Sequence, residues 1–288
     1  MFLPRKIIEE KLLKILSEDT GEGDVTTSLL IPTDLNVEAS VIAKETGIVA
    51  GVEDARILLQ SLGIEVEASL HDGAKTKSGQ TVLKMHGDAR TILTVERTLL
   101  NLLSRMSGIA TATKDLADQL RKAKLKTRVA CTRKTAPGLL YFDKKAVETG
   151  GGDTHRLHLD DMILIKDNHL AVAGDVEDAV RKAKKNASFS KKIEVEVTRA
   201  EDVLRAVKAG ADIVMLDNFS PAQIRRAIEL MKRDKSFGKV LLEASGGITS
   251  KNMIDYASTG VDLVSLGELT QSSRALNMSL EITTKKKS

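Results

Sequence analysis

From about Leu125 onward, short runs rich in β-branched residues alternate with longer runs in which apolar residues recur every three or four positions. The first kind is typical of buried strands and the second of amphipathic helices. The predicted strands are RVACT (128–132), ILIKD (163–167), IEVEV (193–197), DIVML (212–216), VLLEA (240–244) and DLVSL (262–266). The predicted helices include residues 176–185, 199–210 and 220–233. This alternation predicts a parallel sheet covered by helices.

The first hundred residues have a different pattern. Strand-like segments at 37–52, 63–73 and 79–88 accompany helical segments at the N-terminus and at 53–62. This mixture predicts a separate α+β domain. A helical pattern over 89–104 follows, and we place the domain boundary just after it, near Ser107 and Gly108.

The composition narrows the choice of ligand. The 288 residues carry 44 basic and 40 acidic side chains, and only 2% of them are aromatic, with no Trp. Nearly balanced charge and few rings for base stacking disfavour nucleic acid as a partner. The basic run Lys285–Lys287 follows the last apolar segment and is predicted to be a solvated tail. Small acidic molecules are the better candidates.

The sequence also bears on location. No apolar run reaches the roughly 18 residues that a membrane-spanning helix needs. The N-terminal helix pattern contains acids, unlike the apolar core of a secretory signal. The single cysteine, Cys131, cannot form an internal disulfide. We therefore expect a cytoplasmic protein that does not bind membranes.

Each predicted strand of the second half runs into residues that chemistry can use. These residues are Arg133 and Lys134, Lys166, Glu196, Asp217 and Asn218, Ser245, Gly246 and Gly247, and Gly267. In parallel α/β folds ligands gather at the carboxyl ends of the strands, and in a barrel those ends form one rim. A barrel with fewer than eight strands agrees with the strand count. The absence of a G-x-G-x-x-G fingerprint disfavours a dinucleotide-binding sheet.

The basic residues within 132–169 suit a compact, highly charged anion. Arg133 and Arg156 can bind carboxylates or a pyrophosphate through two parallel hydrogen bonds. His155 can donate to a carboxylate or have a structural role. Lys166 has a second interpretation, because a desolvated lysine at a barrel strand end can form a Schiff base.

Acids and glycines complete the predicted rim. Glu196 and Asp217 end successive strands, and the pair could hold Mg²⁺ or stabilise a developing cation. Glu194 shares a strand face with Glu196, so strand periodicity alone leaves either acid open. The loops SGGI (245–248) and SLG (265–267) are expected to bind phosphate through backbone N–H groups.

Nine motifs, spread over nearly the whole chain, resemble the quinolinate phosphoribosyltransferase family. They are EDTGEGDVT (18–26), ERTLLNLLSRMSGIAT (96–111), TRKTAPGL (132–139), DKKAVETGGGDTHR (143–156), LIKDNH (164–169), EVEV (194–197), GADIVMLDN (210–218), EASGGI (243–248) and GVDLVSLGELT (260–270). So many linked motifs make the resemblance specific.

The resemblance implies a fold, a reaction and an assembly. The fold is an N-terminal α/β sandwich domain (1–106, joined by a C-terminal segment at about 272–288) beside an incomplete parallel α/β barrel (107–271). The reaction joins quinolinate to phosphoribosyl pyrophosphate with Mg²⁺, releases pyrophosphate and CO₂, and forms nicotinate mononucleotide for NAD synthesis. The assembly is a homodimer with shared active sites, or a higher oligomer, in which Arg97 enters the neighbouring site.

The resemblance also assigns residues, motif by motif. Those expected to bind quinolinate and phosphate are Arg97, Thr132, Arg133, His155, Arg156 and Lys166. Lys134, Glu196 and Asp217 are the expected catalytic residues and face phosphoribosyl pyrophosphate, and the two acids hold Mg²⁺ directly or indirectly. Those expected to cradle phosphate by their backbone are Ser245, Gly246, Gly247, Leu266, Gly267 and Glu268. The correspondence thus favours Glu196 over Glu194.

Two positions depart from the family pattern. Leu140 stands where family members usually have Arg, and Gln271 stands where they have His. Both departures leave open a related phosphoribosyltransferase with another substrate, such as the molybdenum-transport-associated relatives. A Schiff-base aldolase barrel that uses Lys166 and a non-catalytic anion-binding barrel are further alternatives.

Overall fold

The structure is a computed structural model that describes residues 3–283. These residues divide into two compact units. The first unit holds the residues up to Lys114, Ala136–Gly151 and the residues from Ser272, and the second holds Asp115–Thr135 and Gly152–Gln271. The predicted tail at Lys285–Lys287 lies outside the described residues. Within 3–283, no helix combines the length and the apolar character that a membrane crossing requires.

The helices and strands alternate along most of the chain. The helices are α1 (Arg5–Thr20), α2 (Val25–Leu30), α3 (Val52–Ser61), α4 (Ala89–Lys122), α5 (Leu140–Thr149), α6 (Asp167–Ala173), α7 (Val176–Asn186), α8 (Ala200–Ala209), α9 (Pro221–Arg233), α10 (Met253–Ala257) and α11 (Glu268–Gln271). The strands are β1 (Asn36–Ala43), β2 (Gly47–Ile48), β3 (Glu65–Ala68), β4 (Lys75–Thr76), β5 (Thr81–Asp88), β6 (Arg128–Cys131), β7 (Ile163–Ile165), β8 (Ile193–Val197), β9 (Ile213–Asp217), β10 (Leu241–Ser245), β11 (Leu263–Leu266) and β12 (Met278–Thr283).

The first unit is built on a sheet with the strand order β12-β1-β5-β3, in which all neighbours are antiparallel. Alternate residues of β1 are buried, as expected for a strand with one face on a core. The last described strand returns to this sheet, where Met278 pairs with Ala43 and Thr283 with Glu38. The predicted N-terminal α/β sandwich is confirmed.

The second unit is built on a parallel sheet with the order β6-β11-β10-β9-β8-β7. The six predicted strands all form, with bounds that differ by at most two residues. Beyond β6, a single bridge between Ala130 and Asp153 extends the sheet, and the sheet does not close on β7. The prediction of an incomplete parallel α/β barrel is therefore confirmed.

Successive side chains on these strands alternate between the apolar layer under the helices and the interior of the barrel. On β8, Val195 and Val197 are buried, as are the apolar faces of the flanking helices. Helix α9 shows how those helices are specified: Ser220 and Gln223 form a capping box, and Pro221 occupies the first turn. The intervening strand positions carry the polar side chains described below.

Helix α4 differs from the sequence prediction, which ended it at Ser104. It continues to Lys122 and has residues in both units. Gly108 lies in the middle of this helix, where a Cβ atom would come within 2.1 Å of the carbonyl oxygen of Arg274. This glycine allows a close packing contact and does not end the helix.

Helix α5 lies in the first unit, although the sequence prediction included it in a barrel domain spanning 107–271. The buried carboxylate of Asp143 accepts two hydrogen bonds from Arg105 of α4, at 2.7 and 2.8 Å. Lys145 donates to the buried Asp54 at 2.7 Å. Gly150 approaches α4 so closely that a Cβ would lie 2.5 Å from the carbonyl oxygen of Ala110. Gly150 therefore allows close packing of α5 against α4.

Candidate functional site

A cavity of about 550 Å³ opens at the carboxyl ends of the parallel strands in the second unit. Parallel strands all point the same way, so the groups that follow them meet at this end. The lining residues are Cys131, Thr132, Arg133, Lys134, His155, Arg156, Leu164, Lys166, Glu196, Met215, Asp217, Asn218, Glu243, Ser245, Gly246, Gly247 and Ser265. They come from the barrel strands and the loops next to them.

Three cations of this cavity have side chains that pair with no other described residue. Across residues 3–283, the side chains of Arg133, Lys134 and Arg156 make no hydrogen bond or ion pair. Arg156 is only 8% exposed. Burial and the nearby charge of Arg133 lower the pKa of Arg156. Two arginines that repel each other in a cavity, neither of them in an ion pair within residues 3–283, predict an anionic ligand between them.

The fourth cation of the cavity has a partner. Lys166 precedes α6, and its Nζ atom lies 2.6 Å from Oε1 of Glu196. An ammonium group held by a carboxylate is not the free amine that Schiff-base chemistry needs. This contact therefore disfavours the aldolase alternative.

The acid at the end of β9 lies beside an asparagine. Asp217 is half-buried, and its Oδ2 atom accepts a hydrogen bond from the side-chain amide of Asn218 at 2.8 Å. Asn218 adopts a left-handed backbone conformation with φ 57°, and its N–H donates to the carbonyl oxygen of Ser245. The ends of β9 and β10 are thereby joined at the rim.

The loop after β10 has the backbone that a phosphate cradle needs. Gly246 has φ +87°, and a Cβ atom there would lie 2.3 Å from Oδ1 of Asn218. Any other residue at this position would have to displace the Asn218 side chain. Gly247 also has a positive φ. Within the described chain, the backbone N–H groups of these two glycines donate to no protein acceptor. They remain available to ligand oxygens.

The loop after β6 is held by the residues after β11. The hydroxyl of Thr270 donates to the carbonyl oxygen of Lys134 at 2.8 Å. Gly267 lies next to this loop, because a Cβ on it would meet the Lys134 side chain at 3.3 Å. Glu268 accepts the backbone N–H of Ser250 at 2.6 Å. Thr270, Gly267 and Glu268 therefore contact the loops next to the cavity without being among its lining residues.

His155 reaches the barrel interior beneath the cavity. Its Nε2 atom lies 3.0 Å from Oε2 of Glu243 and 3.4 Å from Oε2 of Glu194. Burial opposes protonation of the ring, but the close contacts with the two glutamates outweigh it and raise the pKa of His155 to about 10. Nδ1, however, accepts the backbone N–H of Arg156 at 2.8 Å and must be unprotonated to do so. This hydrogen bond places the ring proton on Nε2, which faces Glu243.

Two family models match the chain. The quinolinate phosphoribosyl transferase N-terminal domain matches residues 24–107, and the C-terminal domain of the same family matches residues 109–281. The chain belongs to the quinolinate phosphoribosyl transferase family. The resemblance read from the motifs is thereby confirmed.

Curated and solved relatives agree with this membership. The probable nicotinate-nucleotide pyrophosphorylase (carboxylating) of Methanothermobacter thermautotrophicus is 47% identical over 269 residues, which cover 93% of this chain and 96% of the relative. The nicotinate-nucleotide pyrophosphorylase (carboxylating) of Mycobacterium leprae is 41% identical over 278 residues, which cover 95% and 96%. The nicotinate-nucleotide pyrophosphorylase structure from Francisella tularensis superposes with a TM-score of 0.88 at 38% identity, and covers 98% of each chain.

The structure brings together most of the residues that the family resemblance assigned. The cavity lining includes Thr132, Arg133, Lys134, His155, Arg156, Lys166, Glu196, Asp217, Ser245, Gly246 and Gly247. Four assigned residues, Arg97, Leu266, Gly267 and Glu268, are not among its lining residues. Arg97 is exposed on α4 in the first unit, and Leu266 is fully buried.

Sequence reasoning missed two polar residues of this site, Glu243 and Ser265, and preferred Glu196 to a third, Glu194. Glu243 and Ser265 line the cavity, and Glu194, which was set aside in favour of Glu196, contacts His155 beneath it. The strand alternation that predicted Glu196 also predicts inward-facing positions two residues earlier on each strand. That signal was present, but it was read only at the strand ends.

Proposed function

We propose that this protein is a pentosyltransferase that transfers the phosphoribosyl group of phosphoribosyl pyrophosphate to quinolinate with loss of CO₂. The products are nicotinate mononucleotide, pyrophosphate and CO₂, and the reaction belongs to NAD biosynthesis. The carboxylating nicotinate-nucleotide pyrophosphorylases among its relatives support this proposal. So does the family that matches both units of the chain.

The observation that carries the proposal is the set of unpaired cations at the rim. Arg133 and Arg156 leave two guanidinium groups for a ligand, and quinolinate has two carboxylates. Lys134 and the free N–H groups of Gly246 and Gly247 offer the further donors that phosphates require. Both substrates are highly anionic, in agreement with this donor set.

The reaction proceeds in two stages. First, the C1–O bond of phosphoribosyl pyrophosphate breaks, its electron pair leaves with pyrophosphate, and the quinolinate nitrogen donates its lone pair to C1. The cations at the rim stabilise the departing charge, and the acids Glu196 and Asp217 stabilise the positive ribose. Second, the bond between C2 and its carboxylate breaks, CO₂ leaves, and C2 keeps the electron pair and takes a proton. Arg133 and Arg156 orient the ring for both stages.

Mg²⁺ is part of the proposal. Asp217 and Glu196 both line the cavity, and Mg²⁺ is commonly held by one or two carboxylates together with substrate phosphates and water. The residues present therefore fit this ion. When bound, the ion would neutralise charge on the pyrophosphate oxygens.

The assembly is also a proposal. We infer a homodimer, or a higher oligomer, in which the exposed Arg97 of one subunit completes the site of another. In the part of the chain that the structure describes, the Arg97 side chain has no hydrogen-bond or ion-pair partner. Mixing inactive Arg97→Ala with inactive Lys134→Ala protein is expected to restore part of the activity after subunit exchange. No recovery despite demonstrated exchange would contradict a shared site.

The deciding experiment supplies both substrates. Incubation with quinolinate, phosphoribosyl pyrophosphate and Mg²⁺ is expected to yield CO₂ and nicotinate mononucleotide in equal amounts. A parallel reaction with nicotinate tests a relative of altered specificity, since nicotinate lacks the second carboxylate. Turnover of nicotinate without turnover of quinolinate would overturn the proposal.

A further inference from the structure

The interior of the second unit carries a layer of polar side chains where parallel barrels usually have bulky apolar ones. Glu194 of β8, Glu243 of β10 and Ser265 of β11 are 0%, 1% and 3% exposed, respectively. The Ser265 hydroxyl donates to Oε1 of Glu243, while Oε2 of Glu243 faces His155 Nε2 at 3.0 Å. These four residues form a connected buried cluster, which we call the His155 cluster.

This cluster is an unfavourable way to fill a core. Buried carboxylates lose hydration, and apolar residues of similar volume are often at least as stabilising as buried ionic groups. Both carboxylate oxygens of Glu194 are buried without a hydrogen-bond partner. Burial raises the pKa of Glu194, as expected for a carboxyl group removed from water. A cluster with this cost points to a role in the site above it.

The His155 ring is held at both nitrogen atoms. Glu243 contacts Nε2, and the backbone N–H of Arg156 donates to Nδ1 at 2.8 Å. His155 has a left-handed backbone with φ 52°, and its N–H donates to Oδ1 of Asp153 at 2.8 Å. A non-glycine residue keeps such a conformation only where its surroundings fix it. The ring therefore connects the barrel interior to the backbone from which Arg156 extends.

Packing alone does not determine where the Arg156 side chain points. A second cavity, of about 390 Å³, lies at the amino ends of the strands, next to the first residues of β9, β10 and β11. Its lining shares His155, Arg156 and Glu243 with the lining of the upper cavity. Arg156 thus has space on both sides, and an additional constraint is needed to aim it at the substrate cavity.

We propose that Glu243, supported by Ser265 and Glu194, is a positioning residue that fixes the His155 ring and thereby aims Arg156 at a substrate carboxylate. The inference rests on the proposed function, because it assigns Arg156 to quinolinate. Glu243 itself does not contact the reacting atoms in this assignment. Its loss acts on quinolinate binding and leaves phosphoribosyl pyrophosphate binding nearly unchanged.

A metal ion is a poorer interpretation of the same cluster. One ligand atom each from His155, Glu194 and Glu243 lies within 4.8 Å of the others, as in many metal sites. A neutral imidazole that binds a metal through Nε2 carries its proton on Nδ1. Here Nδ1 accepts the N–H of Arg156 instead, so Nε2 carries the proton. The Nε2 atom that a metal would need therefore donates its proton to Glu243.

The kinetic test compares two replacements of Glu243. Glu243→Leu removes the acceptor for His155 and is expected to raise the KM for quinolinate at least tenfold, with the KM for phosphoribosyl pyrophosphate within threefold of wild type. Glu243→Gln keeps an acceptor for Nε2 and is expected to restore the quinolinate KM to within threefold. Leu242→Met is the matched control, because Leu242 precedes Glu243 on β10 and is similarly buried but lines neither of the two cavities. It is expected to change neither KM by more than threefold.

A spectroscopic test works without substrate. The ¹⁵N chemical shifts of His155 are expected to report an Nε2–H ring in the wild type and in Glu243→Gln, and a changed tautomer balance in Glu243→Leu. If Glu243→Leu does not fold, Ser265→Ala and Glu243→Gln carry the test, with an intermediate rise in the quinolinate KM expected for Ser265→Ala.

Three results would overturn the inference: an unchanged quinolinate KM in Glu243→Leu and Ser265→Ala, equal changes in both substrate KM values, or no rescue by Glu243→Gln. A wild-type protein that does not convert quinolinate at all would instead refute the proposed function. In that case the ¹⁵N spectra still test how the cluster holds His155.

Discussion

Replacement of Arg156 by methionine tests the central feature of the site, a buried cation that forms no hydrogen bond or ion pair through its side chain with the described residues. Arg156→Met keeps much of the side-chain volume and removes the charge. In the unliganded protein, burial and the charge of Arg133 lower the pKa of Arg156, so its charged form is disfavoured there. Removing that charge is therefore expected to leave the thermal stability unchanged or to increase it.

The expected kinetic effect is large. Removing one partner of a buried, hydrogen-bonded charge pair costs about 2–5 kcal/mol, and here the other partner is a substrate carboxylate. Since about 1.36 kcal/mol corresponds to a tenfold change in rate, kcat/KM for quinolinate should fall by about 30- to 5,000-fold. The high end of this range is favoured, because Arg156 is only 8% exposed and solvent screens it little.

The assay measures nicotinate mononucleotide formation while each substrate is varied in turn, with thermal unfolding recorded on the same preparations. Lys192→Met is the matched control, since Lys192 is also a cation beside a cavity of this barrel, but at the amino ends of the strands. It should keep kcat/KM within threefold of wild type. The reasoning fails if Arg156→Met keeps its quinolinate kcat/KM within threefold of wild type, or if the two variants lose activity equally.

Two further predictions concern the backbone and the pH dependence of stability. Gly246→Ala places a Cβ atom 2.3 Å from Oδ1 of Asn218, on a backbone with φ +87°. It should lower the free energy of unfolding, measured in urea, by at least about 1–2 kcal/mol. The control Gly247→Ala should lower it less, because a Cβ atom there meets no neighbour within 4 Å. The hydroxyl and backbone N–H of Thr91 lower the pKa of Asp88, so the stability that this carboxylate adds is present above its ordinary value of 3.8 and is lost as the pH falls through the lower folded value. Wild type should therefore be more stable than Asp88→Asn at pH 5, by at most about 1 kcal/mol for this partly exposed group, and this difference in unfolding free energy should shrink as the pH falls to 3. A constant difference would contradict this linkage.

Local patterns predicted the parts of the fold that depend on local sequence. The predicted strand DIVML (212–216) runs into Asp217 at the rim, and Ser220 with Pro221 begins α9, as the sequence indicated. The end of α4 was not predictable in this way. Gly108 was read as a break, but its reason is the close approach of the backbone at Arg274, which is distant in sequence.

The site was predictable to a similar degree. Single cations and acids at strand ends could be placed because parallel topology brings those ends together. The pairing of Lys166 with Glu196, and the absence of a partner for Arg156, depend on side-chain geometry across several strands. The same is true of the contact between His155 and Glu243, which are separated by 88 positions in the chain.

The ambiguity between Glu194 and Glu196 has a physical resolution. Both face the barrel interior because they are two residues apart on β8, and that spacing separates them by about 6.6 Å along the strand. Glu196 therefore reaches the rim, where it pairs with Lys166, and Glu194 reaches the layer below, where it contacts His155. On β10, Glu243 and Ser245 repeat this arrangement. Each of these two strands thus has one group at the rim and one in the layer below, so substitutions of the lower group should change how substrate is bound without removing a rim group.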